Sequence, residues 1–284
     1  MMKTSNLKPN SYKASDGISM SYFKIESEVS NKILLFIHCG GGHVNESYLR
    51  MASEINKHRI TCYLMDLRGH GLSEGKRGDS PNELQLFDDI KKMLEVMVQE
   101  NPNAPVLIGG HSISAGLLLN FYNHYDHSLR IHSFYFVAPN FGRYSNTYRI
   151  YKKDLFVKSV NWFKLLAYRW SDGKYYKNDY VVKLRVSKQM LEVDPLIVNR
   201  YTNAMVHALT PERPVEYITN LDIPFNVIIG GKDVLFSIKS LKRFCSKSQL
   251  LNQFVIVPEL NHFSIIKSVP DLFPDMMEGE FNQR

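Results

Sequence analysis

The chain has 284 residues, 44% of them hydrophobic, and its 35 Lys and Arg against 28 Asp and Glu give a net charge of +7. This length suits one compact domain, or one domain with an inserted cap, and the apolar content is enough to build a core. No apolar run reaches the about 18 residues of a membrane span, and the three scattered cysteines, Cys39, Cys62 and Cys245, exclude a disulfide framework or a zinc site.

The N-terminal stretch from Met1 to Asp16 is polar and lacks the apolar core of a signal peptide. Together with the scattered cysteines, it predicts a cytoplasmic protein with free thiols. Short runs rich in apolar and β-branched residues predict strands near 33–37, 60–65, 105–109, 132–137, 223–229 and 253–257. Helical patterns separate these runs, so we expect an α/β fold with a mainly parallel central sheet flanked by helices.

The first of these strands ends in the glycine-rich sequence HCGGGH at 38–43. Glycines at such a point let backbone N–H groups approach a ligand closely. The loop therefore suits either a phosphate or the oxyanion of an acyl-transfer reaction, which needs two N–H donors. Neither a GxxxxGK(S/T) motif nor the spacing of a dinucleotide fingerprint is present. We predict an oxyanion donor at Gly40, with Gly41 as the alternative.

The pattern GxSxG has one full match, at Gly71 to Gly75, which places a serine at position 73. This match lies inside the polar, glycine-rich stretch 68–78, which is typical of a loop. No predicted strand runs into Ser73 and no predicted helix leaves it. We interpret Ser73 as a loop residue rather than a nucleophile.

A second serine, Ser112, lies between the strand predicted at 105–109 and a helical pattern at 116–125. A strand that turns sharply into a helix and exposes one hydroxyl is the nucleophile elbow of many hydrolases. The local sequence GHSIS departs from GxSxG because Ser114 replaces the last glycine. We predict Ser112 as the nucleophile and the N–H of Ile113 as the second oxyanion donor; the alternative is an ordinary polar residue in a turn.

An aspartate and a histidine follow later strands in the order that such an enzyme requires. Asp233 comes just after the run 223–229, and His262 lies in the loop after the run 253–257. A serine hydroxyl needs an adjacent base, which His262 provides, while Asp233 orients the imidazole. Asp233 alone is also consistent with a helix N-cap. We expect His111, inside the elbow, to point away from the nucleophile.

Several of these motifs resemble those of the α/β-hydrolase superfamily, within it the monoacylglycerol lipase and lysophospholipase-like (serine aminopeptidase-type) branch. The resemblance runs from about Tyr12 to Phe273. HCGGGH corresponds to the family motif HGxGxH, DLRGHGLS to DxRGHGxS, and GHSIS to GHSMG. GKDVL corresponds to the segment that carries the acid, and the dipeptide Asn261-His262 to the one that carries the base. It implies an α/β-hydrolase fold, Gly40 at the oxyanion position and a structural role for the loop at 66–73. It also implies a core at 1–138 and 211–284, with a helical cap inserted at 139–210.

The predicted cap is basic and aromatic. Residues 143–177 contain nine Lys or Arg, two Asp and both tryptophans of the chain. Within them, 155–168 has apolar residues at helical spacing with lysines between, which predicts a basic amphipathic helix. Such a helix either packs its apolar side on the protein body or lies on an anionic membrane surface. We expect Trp162, Phe163 and Tyr168 to contact an apolar substrate chain.

The sequence therefore predicts a serine hydrolase that cleaves carboxylic esters of acyl chains, such as a monoacylglycerol or a lysophospholipid, and needs no metal or organic cofactor. Its partner is a small-molecule ester, and no module typical of nucleic-acid binding accompanies the positive charge. Two alternatives stay open. The same triad serves thioesterases, acyltransferases, amidases and peptidases, and a hydrolase scaffold can also bind ligands without turnover.

Overall fold

The computed structural model describes residues 7–149 and 156–281. Its largest sheet has eight strands: β1 (Asn10–Lys13), β2 (Ser19–Ile25), β3 (Lys32–Ile37), β4 (Ile60–Met65), β5 (Val106–His111), β6 (Ile131–Val137), β10 (Phe225–Gly230) and β11 (Leu251–Val257). A smaller sheet is formed by β7 (Val157–Val160), β8 (Tyr180–Leu184) and β9 (Arg200–Thr202). The α-helices are α1 (Glu46–Asn56), α2 (Glu83–Glu100), α3 (Ile113–His124), α4 (Trp162–Trp170), α5 (Lys188–Val193), α6 (Asn203–Leu209), α7 (Pro214–Thr219), α8 (Ile238–Cys245) and α9 (Val269–Phe281).

The large sheet has the strand order β1-β2-β4-β3-β5-β6-β10-β11. From β4 to β11 every neighbouring pair is parallel, whereas β1 and β2 are joined antiparallel at one edge. This arrangement confirms the predicted α/β fold and all six predicted strands. The two N-terminal strands were not predicted, because β2, with the sequence SMSYFKI, mixes serines and a lysine with its apolar residues.

The core lies on both faces of the large sheet. Along β3, Ile33 and Leu35 join an apolar cluster on one face, while Leu34 and Phe36 join a cluster on the other. A strand that is buried on both faces reads as an unbroken apolar run, which is why β3 was visible in the sequence. Because consecutive parallel strands end at the same edge, the loops after β3, β5, β10 and β11 meet there.

The predicted cap differs in detail from the expectation. Between β6 and β10 the chain forms the three-stranded sheet as well as helices, so this insertion is mixed rather than helical. The helix predicted at 155–168 is wrong in its first part, since β7 covers Val157–Val160 and α4 starts only at Trp162; residue 155 lies outside the described residues. The side chain of Asn161 accepts a hydrogen bond from the N–H of Lys164 and fixes this start.

Only part of the apolar surface of α4 packs on the protein body. Tyr168 is its one buried residue, while Trp162, Phe163, Leu166 and Trp170 have 49%, 71%, 40% and 84% of their surface exposed. The helix therefore packs on the body through the side of Tyr168 and leaves its other large apolar residues exposed, so the interpretation in which it hides its apolar face holds only in part. None of the described helices is both long and apolar enough to cross a membrane.

Candidate active site

Ser112 sits at the sharp turn between β5 and α3. Its φ of 59° and ψ of −119° are unusual for a residue with a side chain and cost about 1–3 kcal/mol. The surroundings hold this conformation, because the Ser112 N–H donates to the carbonyl of Val137 at 2.9 Å and its own carbonyl accepts from the N–H of Asn140 at 2.9 Å. The predicted elbow geometry is therefore present.

Small residues around the turn let α3 pass close to β5. A Cβ atom on Gly110 would lie 2.9 Å from Leu118 Cδ1 and 3.0 Å from the carbonyl carbon of Ser114. Ser114, which departs from the usual pattern, is fully buried, and its hydroxyl donates to the carbonyl of His38. The substitution therefore adds a hydrogen bond between the elbow helix and the glycine-rich loop after β3.

The structure brings Ser112, Asp233 and His262 together. His262 Nε2 lies 2.9 Å from Ser112 Oγ, and His262 Nδ1 lies 2.8 Å from Asp233 Oδ2. The other oxygen of Asp233 accepts the N–H groups of Leu235 at 2.8 Å and Phe236 at 3.2 Å. Burial raises the pKa of Asp233, but the hydrogen bonds from His262 and from these N–H groups outweigh it, so the net pKa is lowered. A carboxylate held in this way fixes the imidazole with Nε2 toward the hydroxyl.

His111 faces the base loop instead of the nucleophile. Its Nε2 donates to the carbonyl of His262 at 2.9 Å, and its Nδ1 accepts from the hydroxyl of Tyr48 at 2.7 Å. That hydroxyl in turn accepts the N–H of Cys39 at 2.9 Å. One chain of hydrogen bonds therefore joins the glycine-rich loop, α1, the elbow and the loop that carries His262.

Two backbone N–H groups beside Ser112 are available to a ligand. Within residues 7–149 and 156–281, the N–H groups of Gly40 and Ile113 donate to no protein acceptor. They are neighbours, since a Cβ on Gly40 would lie 2.9 Å from Ile113 Cγ2. The N–H of Gly41, in contrast, is already bound by the hydroxyl of Tyr201. Of the two candidates, the N–H of Gly40 is therefore the one that is free to pair with the N–H of Ile113 in binding a ligand.

Tyr201 is a residue that the sequence did not reveal. Its hydroxyl accepts the N–H of Gly41 and donates to His70 Nε2 at 3.0 Å, while His70 Nδ1 donates to the carbonyl of Arg68 at 2.9 Å. Tyr201 belongs to β9, so a strand from the insertion holds the glycine-rich loop in place. Side-chain contacts between positions 160 residues apart leave no local signal in the sequence.

The competing serine has a structural environment. The hydroxyl of Ser73 donates to the carbonyl of Asp66 at 2.7 Å and accepts the N–H of Ser21 at 2.8 Å. The carboxylate of Asp66 accepts the N–H groups of Val44 and Leu72 at 2.8 Å and 2.9 Å. These bonds organise the loop at 66–73, and no described histidine ring is bonded to the Ser73 hydroxyl.

The aromatic residues predicted to contact substrate lie elsewhere. Trp162 and Phe163 face solvent, and Tyr168 packs on His207 with ring centroids 4.7 Å apart. Rings that the sequence did not single out surround His262 instead, with centroids 5.3–5.8 Å away: Phe156, Phe236 and Phe263. Their sequence context carries no motif, because packing around a loop histidine is set by the tertiary fold.

The described residues hold no group of three or more His, Cys, Asp and Glu arranged to bind a metal ion. The three cysteines are unpaired, and burial raises the pKa of each thiol. A thiol with a raised pKa carries little thiolate at neutral pH, so these residues are poor nucleophiles.

Two buried histidines make the stability of the fold sensitive to acid. Burial, helped by neighbouring histidines, lowers the pKa of His70 and of His111 to about 3, whereas a histidine in an unfolded chain titrates near about 6.5. Between these values the unfolded chain binds protons that the folded protein does not, so the free energy of unfolding falls as the pH falls. Each histidine contributes a slope of up to about 1.4 kcal/mol per pH unit.

We expect urea unfolding between about pH 7 and pH 4 to show this loss of stability. His111→Gln, which keeps one donor and one acceptor, removes one titrating group and makes the slope smaller. Equal slopes for the variant and the wild type would contradict the assignment of His111 as a neutral buried group.

A comparison with protein families finds one match that covers most of the chain. The family model described as serine aminopeptidase, S33, matches residues 29–265. This range contains β3 to β11 and all three residues joined at the elbow.

Curated relatives match shorter segments. A monoacylglycerol lipase from Mycolicibacterium smegmatis is 27% identical over 71 residues, which are 25% of this chain and 25% of that protein. Multifunctional-autoprocessing repeats-in-toxin proteins from Vibrio vulnificus and Vibrio cholerae are 29% identical over 89 residues, or 31% of this chain and 2% of theirs. The chain thus spans a quarter or less of the length of these relatives.

Solved structures match nearly the whole chain. A soluble variant of monoglyceride lipase from Saccharomyces cerevisiae, in complex with a substrate analog, has a TM-score of 0.70 at 16% identity and covers 96% of this chain and 95% of its own. The protein DcsB, in complex with its substrate analogue, has a TM-score of 0.73 at 13% identity and covers 98% and 99%. At such identities the likeness establishes the fold.

Proposed function

The chain belongs to the serine aminopeptidase S33 family of α/β-hydrolases, and we propose that it cleaves carboxylic esters of acyl chains, with a monoacylglycerol or a lysophospholipid as the substrate class. Support comes above all from the hydrogen-bonded chain Asp233–His262–Ser112, with distances of 2.8 Å and 2.9 Å at a strained elbow. The similarity to a monoacylglycerol lipase and a monoglyceride lipase supports an ester, instead of another acyl compound, as the proposed substrate.

The reaction starts with the Ser112 hydroxyl. Its oxygen attacks the ester carbonyl while its proton passes to His262 Nε2, which lies 2.9 Å away. The imidazolium that forms is stabilised by the carboxylate of Asp233. Because two N–H groups keep that carboxylate in place, the imidazole does not have to reorient during proton transfer.

The negative charge that develops on the substrate oxygen is bound by the N–H groups of Gly40 and Ile113. Each such donor is typically worth about 3–4 kcal/mol of transition-state stabilisation. The tetrahedral intermediate then collapses, and the alcohol leaves with the proton of His262. Water, deprotonated by the same histidine, attacks the acyl-enzyme and releases the fatty acid.

We assign residues 139–210 to a cap over this site, with 1–138 and 211–284 as the hydrolase core. Two contacts support this: Tyr201 binds the loop of Gly40 and Gly41, and Phe156 lies with its ring 5.8 Å from that of His262. Apolar rings around the base provide a dry surface for an acyl chain and keep bulk water from the imidazole.

Hydrolysis of matched substrates tests this proposal. We expect a series of p-nitrophenyl and glycerol esters of increasing acyl length to be cleaved, with the matching amides turned over far more slowly. A thioester preference, or an amide preference with no ester cleavage, would overturn the ester assignment. Binding of the esters without any turnover would overturn the enzyme assignment itself.

The exposed side of α4 is the part of the cap that we propose meets a membrane. Trp170 and Phe163 protrude from it, and the guanidinium groups of Arg143 and Arg169 lie 4.8 Å and 5.5 Å from the ring centroids of Trp162 and Tyr144. Aromatic side chains beside cations suit the interface of an anionic bilayer, where the rings insert and the charges meet head groups.

We expect vesicles of phosphatidylglycerol to bind the protein and raise its activity on a lipid ester, and moderate salt to reduce the effect, since the Debye length is only about 8 Å at physiological ionic strength. Phe163→Ser with Trp170→Ser should weaken vesicle binding by about tenfold or more, since a buried aromatic side chain contributes about 1.5–3 kcal/mol. Leu84→Ser, at a 53% exposed apolar residue on α2, is the matched control. Equal binding by the double variant and the control would contradict docking through α4.

A further inference from the structure

The small sheet carries a groove that is separate from the candidate active site. Its volume is about 930 Å³. It is lined by Arg77 from the loop before α2, by residues of β7, β8 and β9, and by the segment before β9. We call it the cap groove and define it by Arg77, Trp162, Tyr180, Lys183, Ile197 and Arg200. None of Ser112, Asp233 and His262 lines it.

The two faces of the small sheet have opposite chemistry. On the inner face, Val182 and Leu184 pack against the main apolar core, and Tyr201 is part of it. On the outer face, Lys183 stands directly opposite Arg200 across the pair β8–β9. Like charges directly opposite each other destabilise a sheet unless something lies between them that compensates both.

No such compensation comes from the protein. The groove is lined by Arg77, Lys183 and Arg200 but by no aspartate or glutamate. Among the described side chains, none of these three cations has a carboxylate within ion-pair distance; Arg77 donates to the carbonyls of Gly71 and Leu196 instead. Burial lowers the pKa of Arg77, and the carboxylates of Asp66 and Asp194 offset this only in part.

Tyr180 holds the guanidinium group of Arg200 and the backbone of Arg77 in position before any ligand arrives. The guanidinium carbon of Arg200 lies 4.0 Å from the centroid of its ring, and its hydroxyl donates to the carbonyl of Arg77 at 2.8 Å. A guanidinium group fixed in this way loses less entropy on binding, and its planar fork matches two oxygens of a phosphate. Trp162 and Ile197 add an apolar wall at the same groove.

We propose that the cap groove binds a soluble phosphate ester. The phosphate lies between Lys183, Arg200 and Arg77, and the organic part lies against Trp162 and Ile197. Val198, which also lines the groove, donates its N–H to the carbonyl of Gly41 at 2.8 Å. The backbone at Val198 therefore connects the groove to the glycine-rich loop. Binding there does not require ester hydrolysis, because no triad residue takes part.

Titration calorimetry with phenyl phosphate at low salt tests this proposal. We expect saturable binding that phenol does not reproduce, that added salt weakens, and that Lys183→Gln with Arg200→Gln weakens by at least about tenfold. Lys242→Gln with Arg243→Gln is the matched control, since it removes one lysine and one arginine from the exposed side of α8. Thermal melting of each variant shows that it is folded.

The same titration with Ser112→Ala separates this site from the proposed esterase. Binding should be unchanged there, whether or not the chain proves to be an esterase. An equal loss of affinity in the control variant, or no saturable binding of phenyl phosphate, would overturn the proposal. If phenyl phosphate fails to bind while phosphatidylglycerol vesicles bind the wild type and not Lys183→Gln with Arg200→Gln, the occupant is a lipid head group, and the soluble ligand is excluded.

Discussion

Replacing Ser112 with alanine is expected to lower kcat on a carboxylic ester by on the order of 10⁶-fold, because the nucleophile and the acyl-enzyme are both lost. The fold should survive, since the hydrogen bonds that hold the elbow come from the backbone of Ser112 and not from its hydroxyl. Steady-state hydrolysis gives the rate, and labelling with a fluorophosphonate gives the number of reactive serines. Labelling of the variant as strong as that of the wild type would remove Ser112 from the mechanism.

In the proposed mechanism the triad acts as a unit, which the partner variants should reveal. His262→Ala is expected to cost nearly as much as Ser112→Ala, and the double variant little more than either. Asp233→Asn should cost on the order of 10⁴-fold, because it stabilises the wrong imidazole tautomer. Ser73→Ala is the control serine and should keep most of its kcat and all of its labelling.

Replacing Asp89 with alanine is expected to lower the free energy of unfolding by about 3–5 kcal/mol, as for other buried ion pairs that lose one partner. Arg68 and Asp89 each have 2% of their side chain exposed, and the guanidinium binds both carboxylate oxygens at 2.7–2.8 Å. Without Asp89, the buried guanidinium of Arg68 keeps only one ion-pair partner, Asp16, whose side chain is 31% exposed. Urea unfolding measures the loss.

An exposed arginine pair provides the comparison for this effect. Arg213 and Glu216 are 68% and 47% exposed and lie 3.1 Å apart. Glu216→Ala also removes the carboxylate partner of an arginine, but water solvates the exposed guanidinium instead. We therefore expect the free energy of unfolding to change by about 0–1 kcal/mol. Similar losses for Asp89→Ala and Glu216→Ala would show that burial of Arg68 is not what makes its pair important.

Parallel strands made much of the fold and the site predictable. β3 and β5 are buried on both faces, so their apolar runs are unbroken, and each is followed at once by residues of the site. Because parallel strands end at one edge, the order of Ser112, Asp233 and His262 after their strands was enough to predict their proximity, and the structure places them within hydrogen-bonding distance.

Features that depend on orientation or on distant contacts were not predictable. Helical spacing in α4 indicated a helix but not which side meets the body, and the two interpretations differ only in a rotation about its axis. β7 has four residues, too few for an alternating pattern to stand out. Tyr48 and Tyr201 act through one hydroxyl each, and nothing in their neighbours in sequence indicates the N–H groups that they bind.

The bond between Tyr201 and Gly41 has a consequence for the time at which activity appears during synthesis and refolding. This bond joins two residues that are 160 positions apart in the chain, and the contact of His262 with Ser112 joins two that are 150 positions apart. Contacts so distant in sequence form late, because their loop-closure entropy is repaid only after the intervening parts have folded. On the ribosome, the elbow and the glycine-rich loop emerge long before β9 and the base. We therefore expect a nascent chain to fold most of its sheet while it is still inert, and the proposed hydrolysis to be the last property that it acquires.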